Sequence, residues 1–78
     1  MKAKVHVFLK PGVLDVQGKA IEGALHTIGF PGASNVRVGK TIELDIDGDA
    51  ATAEKQAKDM AERLLANTVI ESYRVEVG

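Results

Sequence analysis

Between Val36 and Ile46 the apolar residues share one parity: Val36, Val38, Ile42, Leu44 and Ile46 are even-numbered, while Arg37, Thr41, Glu43 and Asp45 are odd. Successive side chains of a β-strand point to opposite faces, so this parity gathers all the apolar residues on one face of one strand. The glycine at position 39 invites an alternative, a two-residue hairpin at Gly39-Lys40. That turn would pair Val38 with Thr41 and Val36 with Glu43, and would throw the valines onto the face opposite Ile42, Leu44 and Ile46. Only a continuous strand, or one bent at Gly39, keeps the apolar face whole. Such a strand covers roughly 36 Å at about 3.3 Å per residue, more than a compact domain of this size needs. The surplus predicts pairing outside the chain's own sheet, with a second copy.

The flanking segments follow the same logic. Ala3 to Lys10 alternates, with Val5, Val7 and Leu9 on one face and Lys4, His6, Phe8 and Lys10 on the other, and Pro11-Gly12 ends it. Asp15 is placed as an N-cap for a helix over Val16 to Ile28, in which Ile21, Ala24, Leu25 and Ile28 form one stripe. Gly29 stops that helix and Pro31 follows. Asp47-Gly48-Asp49 supplies a turn and cap for a second helix, Ala50 to Ala66, with Ala53, Ala57, Met60, Ala61, Leu64 and Leu65 on its apolar side. Its other side offers Glu54–Lys58 and Asp59–Arg63 as i, i+4 ion pairs. Val69 to Val77 alternates again. The order is β-α-β(β)-α-β, an α+β two-layer sandwich with both helices on one face of a small sheet, a long bent middle strand, and dimerisation by sheet extension.

The whole chain, residues 1–78, reads as one domain, and its size limits the core. With 78 residues and no cysteine, about 60% of the extended chain's surface can be buried, and neither disulfides nor a thiolate zinc site can supplement it. Oligomerisation or docking to a larger partner is the expected supplement. Basic and acidic side chains number ten and eleven, and the aromatics are scattered outside any basic cluster, so a nucleic-acid partner is not expected. A sheet-face RNA reader would need exposed aromatics there, whereas Phe8 is alone among Glu43, Asp45 and Glu76. No apolar run reaches the ~20 residues of a membrane span and no signal-peptide pattern opens the chain. A cytoplasmic protein without a membrane partner is expected.

Motif-level chemistry is sparse. In Gly12-Val13-Leu14-Asp15-Val16-Gln17-Gly18-Lys19-Ala20 the glycines are one residue too far apart for a phosphate-cradling loop, and Ala20 stands where a magnesium-binding hydroxyl belongs. Asp45, Asp47 and Asp49 imitate the start of a calcium loop, but Ala50 replaces its glycine and Gln56 its bidentate glutamate. His6 and His26 have no third ligand at metal spacing, and no serine or threonine lies in a nucleophile elbow. No catalytic, cofactor or metal residues are therefore assigned. Phe8, Lys10, Pro11 and Gly12 at the end of the first strand, with Arg37, Gly39 and Lys40 in the middle one, are left as candidate interface residues. From the residues alone, a small regulatory module of ACT-like type that binds a metabolite between subunits also fits this architecture.

Three segments are more specific: LKPGVLDVQGKAIEGALHTIGF from Leu9 to Phe30, VRVGKTIELDID from Val36 to Asp47, and ERLLANTVIESYRVE from Glu62 to Glu76. Together they resemble the PurS family, small subunits of phosphoribosylformylglycinamidine synthase in purine biosynthesis. Two positions depart from the family pattern, where Val16 and Thr68 replace its usual prolines at helix termini. The resemblance implies a non-catalytic subunit, a homodimer or a tetramer. It would bridge a glutaminase that releases ammonia from glutamine and a large synthetase that activates formylglycinamide ribonucleotide. It also implies that ATP and magnesium are used by the synthetase and that no cofactor is bound by this chain. Lys10, Pro11, Gly12, Arg37, Gly39 and Lys40 then become the expected partner-facing positions.

Overall fold

The computed structural model describes residues Met1–Gly78. Its elements are β1 (Lys2–Leu9), α1 (Val16–Thr27), β2 (Gly39–Asp45), α2 (Ala50–Met60), continued by one wide π-helical turn over Ala61–Leu65, and β3 (Glu71–Val77). The strands form one sheet in the order β2-β1-β3, and β1 pairs antiparallel with both neighbours. Because β2 and β3 flank β1, the β2-α2-β3 connection must pass over β1, and α2 lies across the central strand.

Register explains the core. Ala3 is opposite Leu44 and Val77, and Val5 opposite Ile42 and Val75, so two rungs of the sheet are apolar across all three strands. The next rung sets Val7 between Tyr73 and Lys40, and the apolar row on β2 stops there. Ala53, Ala57 and Ala61, one turn apart along α2 and its continuation, are fully buried against Ala3, Val5 and Val7. Their single methyl groups let the helix sit close on the sheet. The N-terminus closes the ladder, since the Met1 amino group donates to the Ile46 carbonyl at 2.9 Å and the Ile46 amide donates back to Met1 at 2.8 Å.

Helix caps follow local sequence. The Asp15 carboxylate accepts the Gly18 amide at 2.8 Å and the Asp49 carboxylate accepts the Thr52 amide at 2.8 Å, in both cases an N-cap side chain serving an otherwise unpaired donor. Both expected ion pairs on α2 are formed, Glu54–Lys58 at 3.1 Å and Asp59–Arg63 at 3.2 Å. Gly29 ends α1 with φ +107°, in the region glycine adopts without a Cβ penalty.

Four expectations need correction. The middle strand begins at Gly39, not Val36, because β1 ends at Leu9 and leaves residues 36–38 no strand to pair with. Their amides turn to α1 instead: Val36 N–H donates to Glu22 and Val38 N–H to Asp15. Leu64 does not belong to the inward stripe of the second helix. The Ala66 amide reaches back to Ala61, five residues away, and this widened turn carries Ala61, Leu65 and Ala66 inward while leaving Leu64 83% exposed. The last strand starts at Glu71, since Ile70 and Glu71 amides both bond the Asn67 carbonyl in a turn.

Nor do the two helices share one face of the sheet. Only α2 covers the sheet; α1 has no substantial contact with any strand, and Gly18 is its one buried residue. Ile28 is 69% exposed and Phe30 58%. The radius of gyration is 15.6 Å and the long axis 48 Å, where a compact domain of this length has a radius of about 11–12 Å. Ten of 78 residues are buried, a core resting on alanine and valine contacts under one helix. Ala57→Leu is expected to destabilise the chain by about 1–3 kcal/mol through overpacking against β1, whereas Ala51→Leu, on the exposed side of the same helix, should be near neutral. Urea unfolding of both variants checks this.

Candidate interaction surface

Residues 13–36 form a projecting arm, α1 and a returning segment zipped along one side, and Arg37 and Val38 link it to β2. Gly18 abuts the returning chain, Glu22 Oε1 accepts the Val36 amide at 3.2 Å, and His26 Nε2 lies 2.6 Å from the Ala33 carbonyl oxygen. A Cβ at position 18 would collide with the Val36 carbonyl oxygen and stand 2.8 Å from Asp15 Oδ2. The absence of a side chain is what brings helix and returning segment together. The other side of α1 carries Ile21 and Ile28 outward with nothing over them.

At its root the arm is tied to the sheet by polar contacts. Asp15, 8% exposed, uses Oδ1 for the Gly18 amide and Oδ2 for the Val38 amide, each at 2.8 Å. The Arg37 guanidinium stands 3.9 Å from Asp15 Oδ2 and donates to the Leu9 carbonyl at the end of β1. The hydrogen bond from Val38, the cap bond from Gly18 and the nearby Arg37 charge hold the Asp15 carboxyl below the usual carboxylate range, against the opposing effect of its burial.

The seven residues singled out from the sequence converge on this end of the sheet. Phe8 and Gly39 are register partners, as are Val7 and Lys40. The Phe8 ring occupies the space a Cβ at position 39 would need, which would come within 2.5 Å of Phe8 Cδ1 and 2.8 Å of the Val7 carbonyl oxygen. Lys10 donates its amide to the Ile70 carbonyl at 2.8 Å, and Gly12, at φ +91°, turns the chain toward the arm. Arg37 completes the group through Leu9. Beside them lies an open groove lined by Leu9, Leu14, Val16 and Val38, with Leu14 and Val16 each 69% exposed. Sequence reasoning missed Leu14 and Val16, whose signal was their place on either side of the Asp15 cap, two apolar side chains at a helix start. It also read Asp15 as a cap alone.

The sheet face opposite α2 is polar. Lys4 meets Glu43 at 3.6 Å, His6 Nδ1 lies 2.9 Å from Thr41 Oγ1, and His6 Nε2 is 3.6 Å from Glu76. Across the molecule Tyr73 donates its hydroxyl to Glu62 at 2.7 Å, and that carboxylate pushes the phenol's ionisation upward. No three His, Cys, Asp or Glu side chains gather into a group that could hold a metal ion. No helix is long and apolar enough to cross a membrane.

The fold is a small α+β sheet with one covering helix and one projecting helix whose Ile21 and Ile28 stand uncovered. Comparison with known proteins gives its kind. The PurS family, described as phosphoribosylformylglycinamidine (FGAM) synthase, matches residues 2–78. The chain belongs to this family. The PurS subunit of FGAM synthase from Bacillus subtilis is 49% identical over 76 residues, 97% of this chain and 90% of that protein. A crystal structure of B. subtilis PurS superposes with a TM-score of 0.87, covering 99% of this chain and 96% of that one at 48% identity. PurS of Methanocaldococcus jannaschii, a subunit of formylglycinamide ribonucleotide amidotransferase, gives 0.91 over 99% and 94% of the two chains at 34% identity. A chain of PurLQS from Thermotoga maritima gives 0.89 over 99% and 95% at 29% identity.

Two glycines of α1 should respond oppositely to alanine. Gly23 has open space around its Cβ position, so Gly23→Ala should stabilise by about 0.5–1 kcal/mol through helix propensity. Gly18→Ala should destabilise despite the same propensity gain, and thermal unfolding of the pair reads the difference. Asp15 also gives a pH signature. Its folded ionisation is depressed, so its contribution is present above about pH 4 and is lost as pH falls through the lowered value. The Gly18 and Val38 amide resonances should titrate together, with one midpoint below that of an unperturbed aspartate.

Proposed function

We propose that this chain is the small bridging subunit of FGAM synthase in purine biosynthesis, a cytoplasmic protein that acts as a dimer and holds two larger subunits in register. The observation that carries this reading is the apolar stripe of α1, uncovered in a chain whose family includes a member of a PurLQS assembly. In such an assembly a glutaminase frees ammonia from glutamine. A synthetase, using ATP and magnesium, activates the amide oxygen of formylglycinamide ribonucleotide, and ammonia displaces it to give the amidine. Ammonia is readily protonated and lost to solvent, so the two sites must be held in a productive mutual orientation. Holding them needs interfaces and no catalytic side chain on this subunit.

Self-association is assigned to the α1 stripe together with the unpaired outer edge of β2. A second copy covering Ile21, Ile28 and Phe30 removes an exposed apolar patch and supplies burial that the small core lacks. Contacts with the larger subunits are assigned to the sheet end formed by Phe8, Lys10, Pro11, Gly12, Arg37, Gly39 and Lys40.

Sedimentation should show a dimer or larger species for the wild type, and Ile21→Glu with Ile28→Glu should shift it to monomer while far-ultraviolet circular dichroism is kept. A wild-type monomer at every concentration would refute the assignment. In the complex reconstituted with glutaminase and synthetase, Lys40→Glu combined with Phe8→Ala should lower glutamine-dependent synthesis about tenfold, as misplacement of a reacting site does, and spare ammonia-dependent synthesis. Unchanged glutamine-dependent turnover removes this sheet end from the interface.

A further inference from the structure

The arm and the sheet are separate packing units. No apolar core joins them, since α1 has no substantial contact with any strand and the buried apolar residues all belong to the sheet, to α2 and to the residues that directly continue them. What joins them is the covalent chain at Gly12–Val13 and through Arg37–Val38 into β2, and the polar contacts that Asp15 and Arg37 make at this root. The Asp15 carboxylate is central to these, and its two oxygens serve different purposes. Oδ1 caps α1 through Gly18, three residues away, a local bond that any good N-cap makes. Oδ2 accepts the amide of Val38, 23 residues away, immediately before β2 begins. Arg37, beside Oδ2, carries the connection to the Leu9 carbonyl at the end of β1. One buried side chain therefore meets the start of α1 and the entry to β2, and reaches the exit from β1 through Arg37.

We propose that Asp15 is a positioning residue that sets the direction of the α1 arm relative to the sheet through its second oxygen, and that glutamine-dependent synthesis depends on this direction. The proposal deepens the bridging reading and rests on it. A carboxylate suits the task because it has acceptor capacity for two amides and a charge for Arg37, and because charge-assisted bonds are shorter and stronger than neutral ones. A rigid root matters in this chain more than in a compact one. Along a molecule 48 Å long, a small rotation at the root displaces the far end of the arm by several times its effect at the pivot. Glu22 and His26 act within the arm and do not tie it to the sheet.

The variant that separates the two oxygens is Asp15→Ser, because serine caps a helix but is too short and singly equipped to hold Val38 as well. Asp15→Ala, which removes both functions, provides the comparison, and Lys19→Ala, on the exposed side of the same turn, the control. The chain has no cysteine, so spin labels at Thr27→Cys on the arm and Lys55→Cys on α2 are unambiguous. Dilution with unlabelled chain keeps the measured distance within one protomer. Asp15→Ser is expected to keep the wild-type circular dichroism, to broaden the arm-to-sheet distance distribution, and to lower glutamine-dependent synthesis in the reconstituted complex about tenfold while ammonia-dependent synthesis is kept. A purely structural role would move unfolding temperature without this split between ammonia sources. A distribution as narrow as that of the wild type overturns the proposal, and so does full glutamine-dependent activity with a broadened arm. A wild-type chain that fails to stimulate glutamine-dependent synthesis overturns the bridging reading itself, and with it the role given to Asp15 in the reaction.

Discussion

One helix covers this sheet, and most of the molecule's character follows from that. The β2-α2-β3 connection has to cross β1, and the alanines at positions 53, 57 and 61 let the crossing helix settle against Ala3, Val5 and Val7. With the central strand already covered, α1 has no place on the same face near the two apolar rungs. The third rung, where Val7 is flanked by Lys40, gives it no apolar row to occupy. The arm extends away from the sheet instead, held by backbone-to-carboxylate bonds in place of side-chain packing.

An arrangement of this kind separates stability from geometry. The sheet and α2 supply what hydrophobic stabilisation a monomer of this size has, and the arm adds apolar surface without burying it. Hydrogen bonds are directional in a way that apolar contacts are not, so a polar root can define the direction of an element that contributes little to folding. For the bridging role proposed for this subunit, direction is the useful property. The polar sheet face opposite α2 carries Lys4–Glu43 and His6–Thr41 contacts, and the exposed apolar side chains lie elsewhere, on the arm, at Phe8 and around Leu64, Val69 and Ile70.

Much of this was legible one segment at a time. The alternation through β1, the caps at Asp15 and Asp49, the stop at Gly29 and the i, i+4 pairs on α2 all depend on residues within four positions of one another, and all are present. The parity argument correctly rejected a hairpin at Gly39-Lys40 but overran the strand by three residues, because Val36 and Val38 continue the apolar pattern while lacking a strand to pair with. Leu64 was misplaced for a related reason: periodicity assumes a uniform helix, and the wide turn to Ala66 changes the pitch where Leu64 should turn inward. The interface candidates were chosen one by one as residues the fold did not require. That Phe8, Gly12, Arg37 and Lys40 meet at one sheet end depends on register, which no single segment contains.

What the sequence by itself determined is therefore the set of elements, their order, the face each strand turns inward and the family to which the chain belongs. These are written in patterns that repeat every two or four residues and in turn chemistry read locally. Only the tertiary structure decided which helix covers the sheet, where the middle strand begins, and that Asp15 is a junction as well as a cap. Each of those depends on bonds between distant residues: the Asp15 oxygen left over after capping finds its donor at Val38 only because the chain returns past α1 on its way to β2. Local patterning shows that a side chain can accept two hydrogen bonds, and folding selects the second donor.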